Sequence, residues 1–291
     1  MPQAKIGVIG GSGLYRMEGM TDVEEVKVRT PFGDPSDVIT IGQVSGVAMA
    51  FLPRHGRGHR INPTEVPSRA NIWALKSLGV EWVISVSAVG SLREDIAPRD
   101  LVVPDQLFDR TKSRVNSFFE KGLVVHCTFA DPFCPSLSAL LYNSASQLGD
   151  VKVHQGGTYV CMEGPLFSTR AESRVYRQLG MDIIGMTALP EAKLAREAEL
   201  CYAVIACATD YDSWHESEEA VTVEMVVNNL SANVANAQRI LRDVAHNMPS
   251  DRSGVTCDCA NSLAAAIMTD RALIPADVKE KYSLLIGKYI S

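Results

Sequence analysis

Two aspartates that follow an apolar run carry the clearest chemical signal in the sequence. Residues 201–208 (CYAVIACA) are typical of a buried strand, and Asp210 and Asp212 come directly after them. If the extended geometry continues, the two side chains point to the same side. Two carboxyl groups in one cleft raise the pKa of one of them, so that one donates a hydrogen bond and the other accepts. Such a pair suits the polar edge of a purine, and a solvated Asp-rich turn is the alternative.

A cationic segment follows a second apolar run. Residues 54–60 (RHGRGHR) contain three Arg and two His and come after residues 47–52. Ligands bind at strand ends in open α/β sheets, and Arg and His are good donors to phosphate. We weigh an oxyanion site and a solvated basic loop about equally. His55 and His59 have the spacing of a metal-binding pair, but Gly56 and Gly58 argue against a helix there, so we predict no metal.

Glycine and serine residues end two more apolar runs. Residues 10–13 (GGSG) fit neither the dinucleotide fingerprint nor a P-loop, although their backbone N–H groups and the Ser12 hydroxyl could approach an anion. Residues 85–91 (SVSAVGS) could let a ligand lie against backbone, with Ser87 as a donor. A tight turn and close helix–strand packing are the respective alternatives.

One further segment combines an aromatic with a hydroxyl. Within residues 162–169 (MEGPLFST), Phe167 could stack on a flat ring and Ser168 could hydrogen-bond its edge. A core Phe and a helix cap explain the same residues more simply.

These residues depend on an alternation of strands and helices along the chain. Short apolar runs predict strands at residues 6–9, 47–52, 82–86, 101–103, 158–162, 183–186 and 201–208. Helical spacing and capping signals predict helices at residues 67–78, 169–179, 190–200 and 222–246, and two short ones in the tail at 262–268 and 275–285. No linker or repeat interrupts the pattern. We therefore predict one α/β domain over residues 1–291 with helices on both faces of the sheet, and a helical tail or lid at 247–291.

Composition limits the classes of partner. The 291 residues are 46% hydrophobic and 21% charged, with a net charge of −6, so we expect no nucleic-acid or membrane partner. The N-terminus lacks a signal-peptide pattern and no apolar stretch is long enough to span a bilayer, so we expect a cytoplasmic location. Cys257 and Cys259 form the one close cysteine pair among seven; we prefer two ordinary buried thiols to a redox pair.

Taken together, the motifs resemble the purine nucleoside phosphorylases, in particular members that act on 5′-methylthioadenosine. The resemblance runs collinearly from about residue 5 to about residue 246. Its pieces are residues 9–14 (IGGSGL), 30–37 (TPFGDPSD), 54–59 (RHGRGH), 70–75 (ANIWAL), 90–94 (GSLRE), 163–165 (EGP), 167–172 (FSTRAE), 186–187 (MT) and 208–212 (ATDYD). It implies a single-domain phosphorylase/hydrolase-like α/β fold with a mixed central sheet flanked by helices.

The resemblance also implies a reaction and a set of roles. Phosphate would attack C1′ of the nucleoside, adenine would leave, and 5-methylthioribose 1-phosphate would form. The implied phosphate ligands are Ser12, Arg54, His55, Ser87, Ala88 and Thr187. The implied catalytic residues are Asp210, Asp212 and Ser168, and the implied substrate contacts are Phe167, Met186, Ile184, Gly90, Val223, Val226 and His126. His126 would reach across a subunit boundary in a homotrimer or a dimer of trimers. No metal or organic cofactor is implied, since phosphate is a co-substrate.

One departure and three alternatives bear on this prediction. At Gly185 other family members carry Asn, and its loss could alter base or sugar contacts. A phosphorylase of 6-oxopurine nucleosides, such as inosine or methylthioinosine, is disfavoured because an ionised Asp210 would repel a 6-oxo group. A hydrolase of the same fold and a non-catalytic nucleotide-binding module are the other two alternatives.

Overall fold

The computed structural model describes residues 3–11, 13–14, 17–215, 223–249, 251–252 and 254–290, and gives only the backbone for residues 223–228, 230 and 231. Within these residues the chain forms an eleven-stranded mixed sheet with helices on both faces. The mixed α/β architecture that the sequence predicts is therefore confirmed.

The sheet is built around four parallel central strands. The strands are β1 (Ile6–Gly10), β2 (Thr21–Val26), β3 (Ile39–Val44), β4 (Val47–Pro53), β5 (Trp82–Ser91), β6 (Leu101–Val103), β7 (Gln106–Arg110), β8 (Val153–Gln155), β9 (Thr158–Met162), β10 (Ile183–Gly185) and β11 (Cys201–Asp210). The order is β2-β3-β4-β1-β5-β10-β9-β7, and β11 also pairs with β5 and with β6, which pairs with β8. Because β4, β1, β5 and β11 are parallel neighbours, their carboxyl ends meet at one edge.

Helices cover the two faces of this sheet. They are α1 (Ser68–Ser77), α2 (Pro135–Ser146), α3 (Arg170–Gln178), α4 (Ala188–Glu197), α5 (Val223–Asn247), α6 (Ala276–Lys281) and α7 (Ser283–Ile286). Leu75 of α1 and Ala192 of α4 belong to one buried hydrophobic cluster, and Leu141 of α2 and Ile240 of α5 belong to another. The central strands contribute residues to both clusters, which explains their continuous apolar runs.

Local signals place three helix starts to within two residues. Thr169 and Glu172 form the predicted capping box, each side chain accepting a hydrogen bond from the other's backbone N–H. Pro67, expected inside the first turn of α1, is instead its N-cap residue. Helix α4 begins two residues before the predicted start, at Ala188.

The tail differs from its predicted structure. Residues 262–266 form turns rather than a helix, and the chain then pairs with residues 124–125 through an Ile267–Val125 bridge and the Met268 N–H. The Leu263 N–H donates to the Glu199 carboxylate and the Ser262 hydroxyl donates to the Arg196 carbonyl. Both groups are thereby bound to the end of α4 rather than within a new helix. The predicted helix at 275–285 is present as two short pieces, α6 and α7. No helix in the described ranges combines the length and apolar character needed to cross a bilayer.

Candidate active site

Arg54 is a buried residue at the end of β4, not part of a solvated loop. Its guanidinium forms an ion pair with Glu191 of α4, with Nε donating to Oε1 over 2.6 Å, and both side chains are 2% exposed. Nη2 donates to the Ser85 hydroxyl, and Nη1 donates to the Val86 carbonyl. Arg54 also lines a small cavity near the carboxyl ends of the strands.

His55 is held beside this cation in a neutral form. Burial and the adjacent Arg54 charge lower the pKa of His55 to about 4, so the ring is uncharged near pH 7. Nδ1 donates to the Ile61 carbonyl over 2.8 Å, which leaves Nε2 as a hydrogen-bond acceptor. A bound phosphate anion would favour the charged form and so convert Nε2 into a donor.

A small cavity brings Arg54 and His55 together with residues far away in sequence. Thr187 and Met186, which follow β10, line the same cavity; its full lining is Arg54, His55, Pro63, Val66, Ser68, Arg114, Met186, Thr187, Leu189 and Glu191. Arg114 donates to the carbonyls of Met186 and Leu189 and so fixes the backbone that carries Thr187. Neither Arg114 nor Glu191 can be recognised in the sequence as a site residue, because a lone Arg in an irregular segment and a lone Glu in a helix carry no motif.

The aspartates at the end of β11 are both buried, but not in the geometry the sequence suggested. The strand ends at Asp210, and Asp212 begins a 3₁₀ turn with a φ of 49°, so the extended backbone does not continue. Asp210 Oδ1 instead accepts a hydrogen bond from the Asp212 N–H over 2.8 Å, and Oδ2 accepts one from the Thr209 hydroxyl. The alternative of a solvated turn is excluded by their burial.

Burial changes the acidity of both carboxyl groups. Loss of solvation raises the pKa of Asp210 and of Asp212 above the usual range for aspartate. Asp212 Oδ2 is buried and makes no well-formed hydrogen bond within the described structure, although the Ser173 and Ser168 hydroxyls lie close enough to the carboxyl group to lower its pKa in part. An unpartnered buried carboxylate oxygen is costly unless a ligand satisfies it, which makes this oxygen a candidate ligand contact.

Strand β5 passes directly beneath the aspartates. A Cβ on Gly90 would lie 2.9 Å from Asp210 Oδ1 and 3.2 Å from Ile184 Cγ2, so only glycine fits between these residues. Ile184 pairs with Gly90 in the sheet. Upstream in β5, Ala88 pairs with β11, and the Ser87 hydroxyl is buried without a partner in the described part of the chain. The strand thus links the predicted phosphate residues to the predicted base residues.

The segment before α3 borders the aspartates as well. The Ser168 carbonyl accepts a hydrogen bond from the Ser213 hydroxyl over 2.7 Å, which ties this segment to the Asp212 turn. The Ser168 hydroxyl is buried and contacts the Met162 sulfur. Phe167 is 44% exposed, so it is not the core residue of the simpler interpretation.

The side chains of three of the remaining predicted site residues lie outside the described structure, and a fourth residue lies outside the cavity lining. Ser12 lies outside the described residues, as do the side chains of Val223 and Val226 at the start of α5. His126 is exposed, and its backbone N–H donates to the Ala266 carbonyl in the tail. It is not among the residues that line the cavity.

Tyr159 occupies the space that a side chain at position 185 would need. A Cβ on Gly185 would collide with the Tyr159 hydroxyl and lie 2.8 Å from its Cζ. Burial raises the pKa of Tyr159 to about 12, so the hydroxyl stays protonated, 3.4 Å from Thr187 Oγ1. At position 185, where other family members carry Asn, this chain has Gly, and the Tyr159 hydroxyl from β9 is the polar group that fills the space.

Comparison with known proteins identifies relatives of the whole chain. A profile of the Phosphorylase superfamily matches residues 5–246. The chain is 57% identical over 286 residues to an S-methyl-5′-thioadenosine phosphorylase of Geobacter sulfurreducens, covering 98% of this chain and 99% of that protein. It resembles the crystal structure of a methylthioadenosine phosphorylase from an antarctic soil metagenome, with a TM-score of 0.91, 47% identity and coverage of 98% of this chain and 99% of that one.

A more distant structure has a ligand bound. A single-site mutant of the adenosine/methylthioadenosine phosphorylase of Schistosoma mansoni, in complex with methylthioadenosine, is 34% identical, with a TM-score of 0.79 and coverage of 98% of both chains. The matched region contains the cavity, the aspartate turn and the strands between them, and the chain therefore belongs to the phosphorylase superfamily.

Proposed function

We propose that this protein cleaves S-methyl-5′-thioadenosine by phosphorolysis, giving adenine and 5-methylthioribose 1-phosphate. The observation that carries the proposal is the pairing of two different subsites along β5. A cationic cavity with Arg54, His55 and Thr187 lies beside the middle of the strand, where Arg54 contacts Ser85 and Val86, and two buried carboxyl groups lie beside Gly90 near its carboxyl end. The relatives named above act on or bind this nucleoside.

The proposed reaction uses each subsite for one half of the bond exchange. A phosphate oxygen forms a bond to C1′ while the bond between C1′ and the purine N9 breaks, and the bonding electrons pass into the purine ring. Arg54 and Thr187 hold the phosphate, whose negative charge stabilises the positive charge that develops on the sugar. One carboxyl group, whose pKa burial raises, donates a hydrogen bond to N7 in its protonated form, while the other accepts from the 6-amino group.

The proposal also covers the oligomeric state, the co-substrate and the cellular location. We infer a homotrimer, or a dimer of trimers, in which the exposed His126 reaches the sugar of a neighbouring subunit. The reaction requires phosphate as a co-substrate and neither a metal nor an organic cofactor at the reacting atoms. We place the enzyme in the cytoplasm, in purine and methionine salvage.

Phosphate dependence tests the proposal directly. Purified protein is given methylthioadenosine with and without phosphate, and adenine release is followed by chromatography. We expect release only with phosphate, together with one equivalent of the sugar phosphate. Equal release without phosphate would indicate a hydrolase, and no release in either case would leave only a binding module.

Base selectivity tests the role of Asp210. Replacing Asp210 with Asn exchanges one acceptor oxygen for an amide donor, which favours a 6-oxo group over a 6-amino group. We expect the Asp210→Asn variant to lose activity on methylthioadenosine relative to methylthioinosine by about tenfold or more, a change of about 1.4 kcal/mol. An unchanged kcat/KM ratio for the two nucleosides contradicts this role.

A further inference from the structure

Four cysteine sulfurs meet at a place that the proposed reaction does not use. Cys134, Cys201, Cys257 and Cys259 have Sγ atoms that all lie within 4.8 Å of one another. Three of these residues are buried and Cys257 is half-buried. The residues come from three separate parts of the chain: the start of α2, the first residue of β11 and the tail. We call these four residues the cysteine cluster.

The sulfurs of the cysteine cluster are close enough together to share one metal ion. The Cys201 and Cys257 sulfurs are 3.5 Å apart, and all seven cysteines of the chain are free thiols. Two thiolates bound at about 2.3 Å to one tetrahedral zinc ion are about 3.8 Å apart. Four sulfur donors around one point are the ligand set of a closed structural zinc site.

Backbone and hydroxyl contacts bring the three segments together independently of the thiols. The Cys134 N–H donates to the Tyr202 carbonyl over 2.8 Å, which sets the first ligand beside Cys201. The Ser136 and Thr256 hydroxyls are 3.4 Å apart and join the first turn of α2 to the residue before Cys257. A metal would therefore enter a site whose ligands are already in register, which lowers the cost of ordering them.

The tail has a further attachment on the same side of the sheet. The Arg252 guanidinium donates to the carbonyls of Glu81 and Glu199, and the Cys201 N–H also donates to Glu81. This contact fixes the chain shortly before Cys257. The cysteine cluster therefore lies at the point where the tail joins the body of the molecule.

The start of α2 places a backbone donor beside one sulfur, and apolar side chains surround the cysteine cluster. Cys134 is the N-cap residue of α2, and its sulfur accepts a hydrogen bond from the Leu137 N–H over 3.4 Å. The N-terminus of a twelve-residue helix stabilises negative charge at this position. Apolar side chains, among them Leu137 and the partly buried Val255, pack in the same hydrophobic cluster and limit access of water.

We propose that the cysteine cluster binds one zinc ion, which fastens the C-terminal tail to α2 and β11. Four thiols lose their protons, and their sulfurs donate electron pairs to Zn²⁺, giving a tetrathiolate complex with a net charge of −2 and four protons released to solvent. No ligand position remains open, so the ion is structural and takes no part in phosphorolysis. The proposal differs from the sequence expectation of two ordinary buried thiols because Cys134 and Cys201 complete the ligand set.

Metal content tests the proposal on the full chain. The protein is purified with a histidine-free affinity tag under reducing conditions, incubated with Zn²⁺, freed of excess metal and measured by inductively coupled plasma mass spectrometry. We expect about one zinc per chain in the wild type and in Cys127→Ala, a half-buried cysteine outside the cluster, and at least a tenfold loss in Cys257→Ala. A wild type without zinc, or a Cys257→Ala variant that keeps it, overturns the proposal.

A spectroscopic measurement on the wild-type protein tests the proposal without requiring any variant to fold. Cobalt(II) added to the metal-free protein should produce the intense visible absorption of a tetrahedral thiolate complex, and added zinc should abolish it. Alkylation in denaturant, followed by mass measurement, should find all four thiols reduced. Disulfides among these four residues in protein purified under reducing conditions, or a weak octahedral cobalt spectrum, overturn the proposal.

Discussion

The ion pair between Arg54 and Glu191 is the electrostatic basis of the cationic cavity. A buried Arg without a counterion would be expensive, and Glu191 supplies the opposite charge at 2.6 Å while also accepting a hydrogen bond from the Tyr202 hydroxyl. The guanidinium is therefore fixed in direction before any ligand arrives. This pre-organisation makes Glu191 a positioning residue for the proposed phosphate site.

Replacing Glu191 with Gln should affect both stability and phosphate binding. The change leaves the buried Arg54 charge without compensation, and breaking such a pair costs about 3–5 kcal/mol. We expect a lower midpoint of urea unfolding and a KM for phosphate that rises more than the KM for the nucleoside. A KM for phosphate that stays at the wild-type value in a folded Glu191→Gln protein contradicts the positioning role.

A site residue could be predicted from the sequence when an apolar run directly preceded it. Arg54 and Asp210 each follow a continuous apolar run, so their placement at the carboxyl end of a buried strand could be expected. Glu191 and Arg114 do not follow such a run, and the contacts that connect them to the cavity, with Arg54 and with the Met186 carbonyl respectively, join residues more than sixty positions apart. The charge complementarity that identifies them is visible only in three dimensions.

At the scale of elements, α4 carries two buried carboxylates with opposite surroundings. Glu191 faces an arginine, whereas Glu197 accepts hydrogen bonds only from the Phe118 N–H and the Ser117 hydroxyl among the described contacts. Loss of solvation raises the pKa of Glu197 to about 7, from an ordinary value of 4.5. The helix thus connects the cavity to residues 117–118 through a carboxyl group that burial favours in its protonated form.

The raised pKa of Glu197 predicts a pH dependence of stability. Between pH 4.5 and about 7 the folded state binds more protons at this site than the unfolded state, so its contribution to the free energy of unfolding falls as pH rises. The full penalty, about 3 kcal/mol at most, is present above pH 7. We expect Glu197→Gln, which imitates the protonated form, to be more stable than wild type at pH 8 and nearly equal to it at pH 4.5.

Urea unfolding of both proteins across this pH range measures the effect, with Glu191→Gln as the matched control on the same helix. The control is expected to be destabilised at pH 8, where Glu197→Gln is stabilised. Parallel pH profiles for wild type and Glu197→Gln contradict the assignment of the raised pKa to Glu197.

The position of a strand in the sheet determined whether it could be predicted from the sequence. The central strands β1 and β11 are buried along their whole length, and their apolar runs indicate both strands clearly. The edge strand β2 is almost fully exposed and rich in charge, so it has no such pattern. Helix α2 was missed because its sequence (PSLSALLYNSAS) mixes serines with apolar residues, and its cap is a cysteine rather than a common capping residue.

At the scale of the whole molecule, the tail is packed as a structural element. The superfamily profile ends at residue 246, yet Leu263, Tyr282 and Ile286 are buried in the same hydrophobic cluster as the central strands. Tyr282 packs edge-on against Phe119, with ring centroids 5.4 Å apart. A lid that opens during turnover would have to break these contacts, so the tail should unfold together with the body.

Substitutions at Tyr282 test this cooperative role. Tyr282→Ala removes a ring that is 1% exposed and should cost about 3–5 kcal/mol, as large-to-small core changes do. Tyr282→Phe keeps the ring and removes a buried hydroxyl that has no partner among the described residues, so its stability should equal or exceed that of wild type. Urea unfolding is followed by tail proteolysis and by circular dichroism, and both should report the same transition. We expect its midpoint to fall to a lower urea concentration in Tyr282→Ala and not in Tyr282→Phe. If tail cleavage in Tyr282→Ala comes well before the main transition while activity and overall stability stay at wild-type values, the tail is a separate arm and not part of the cooperative unit.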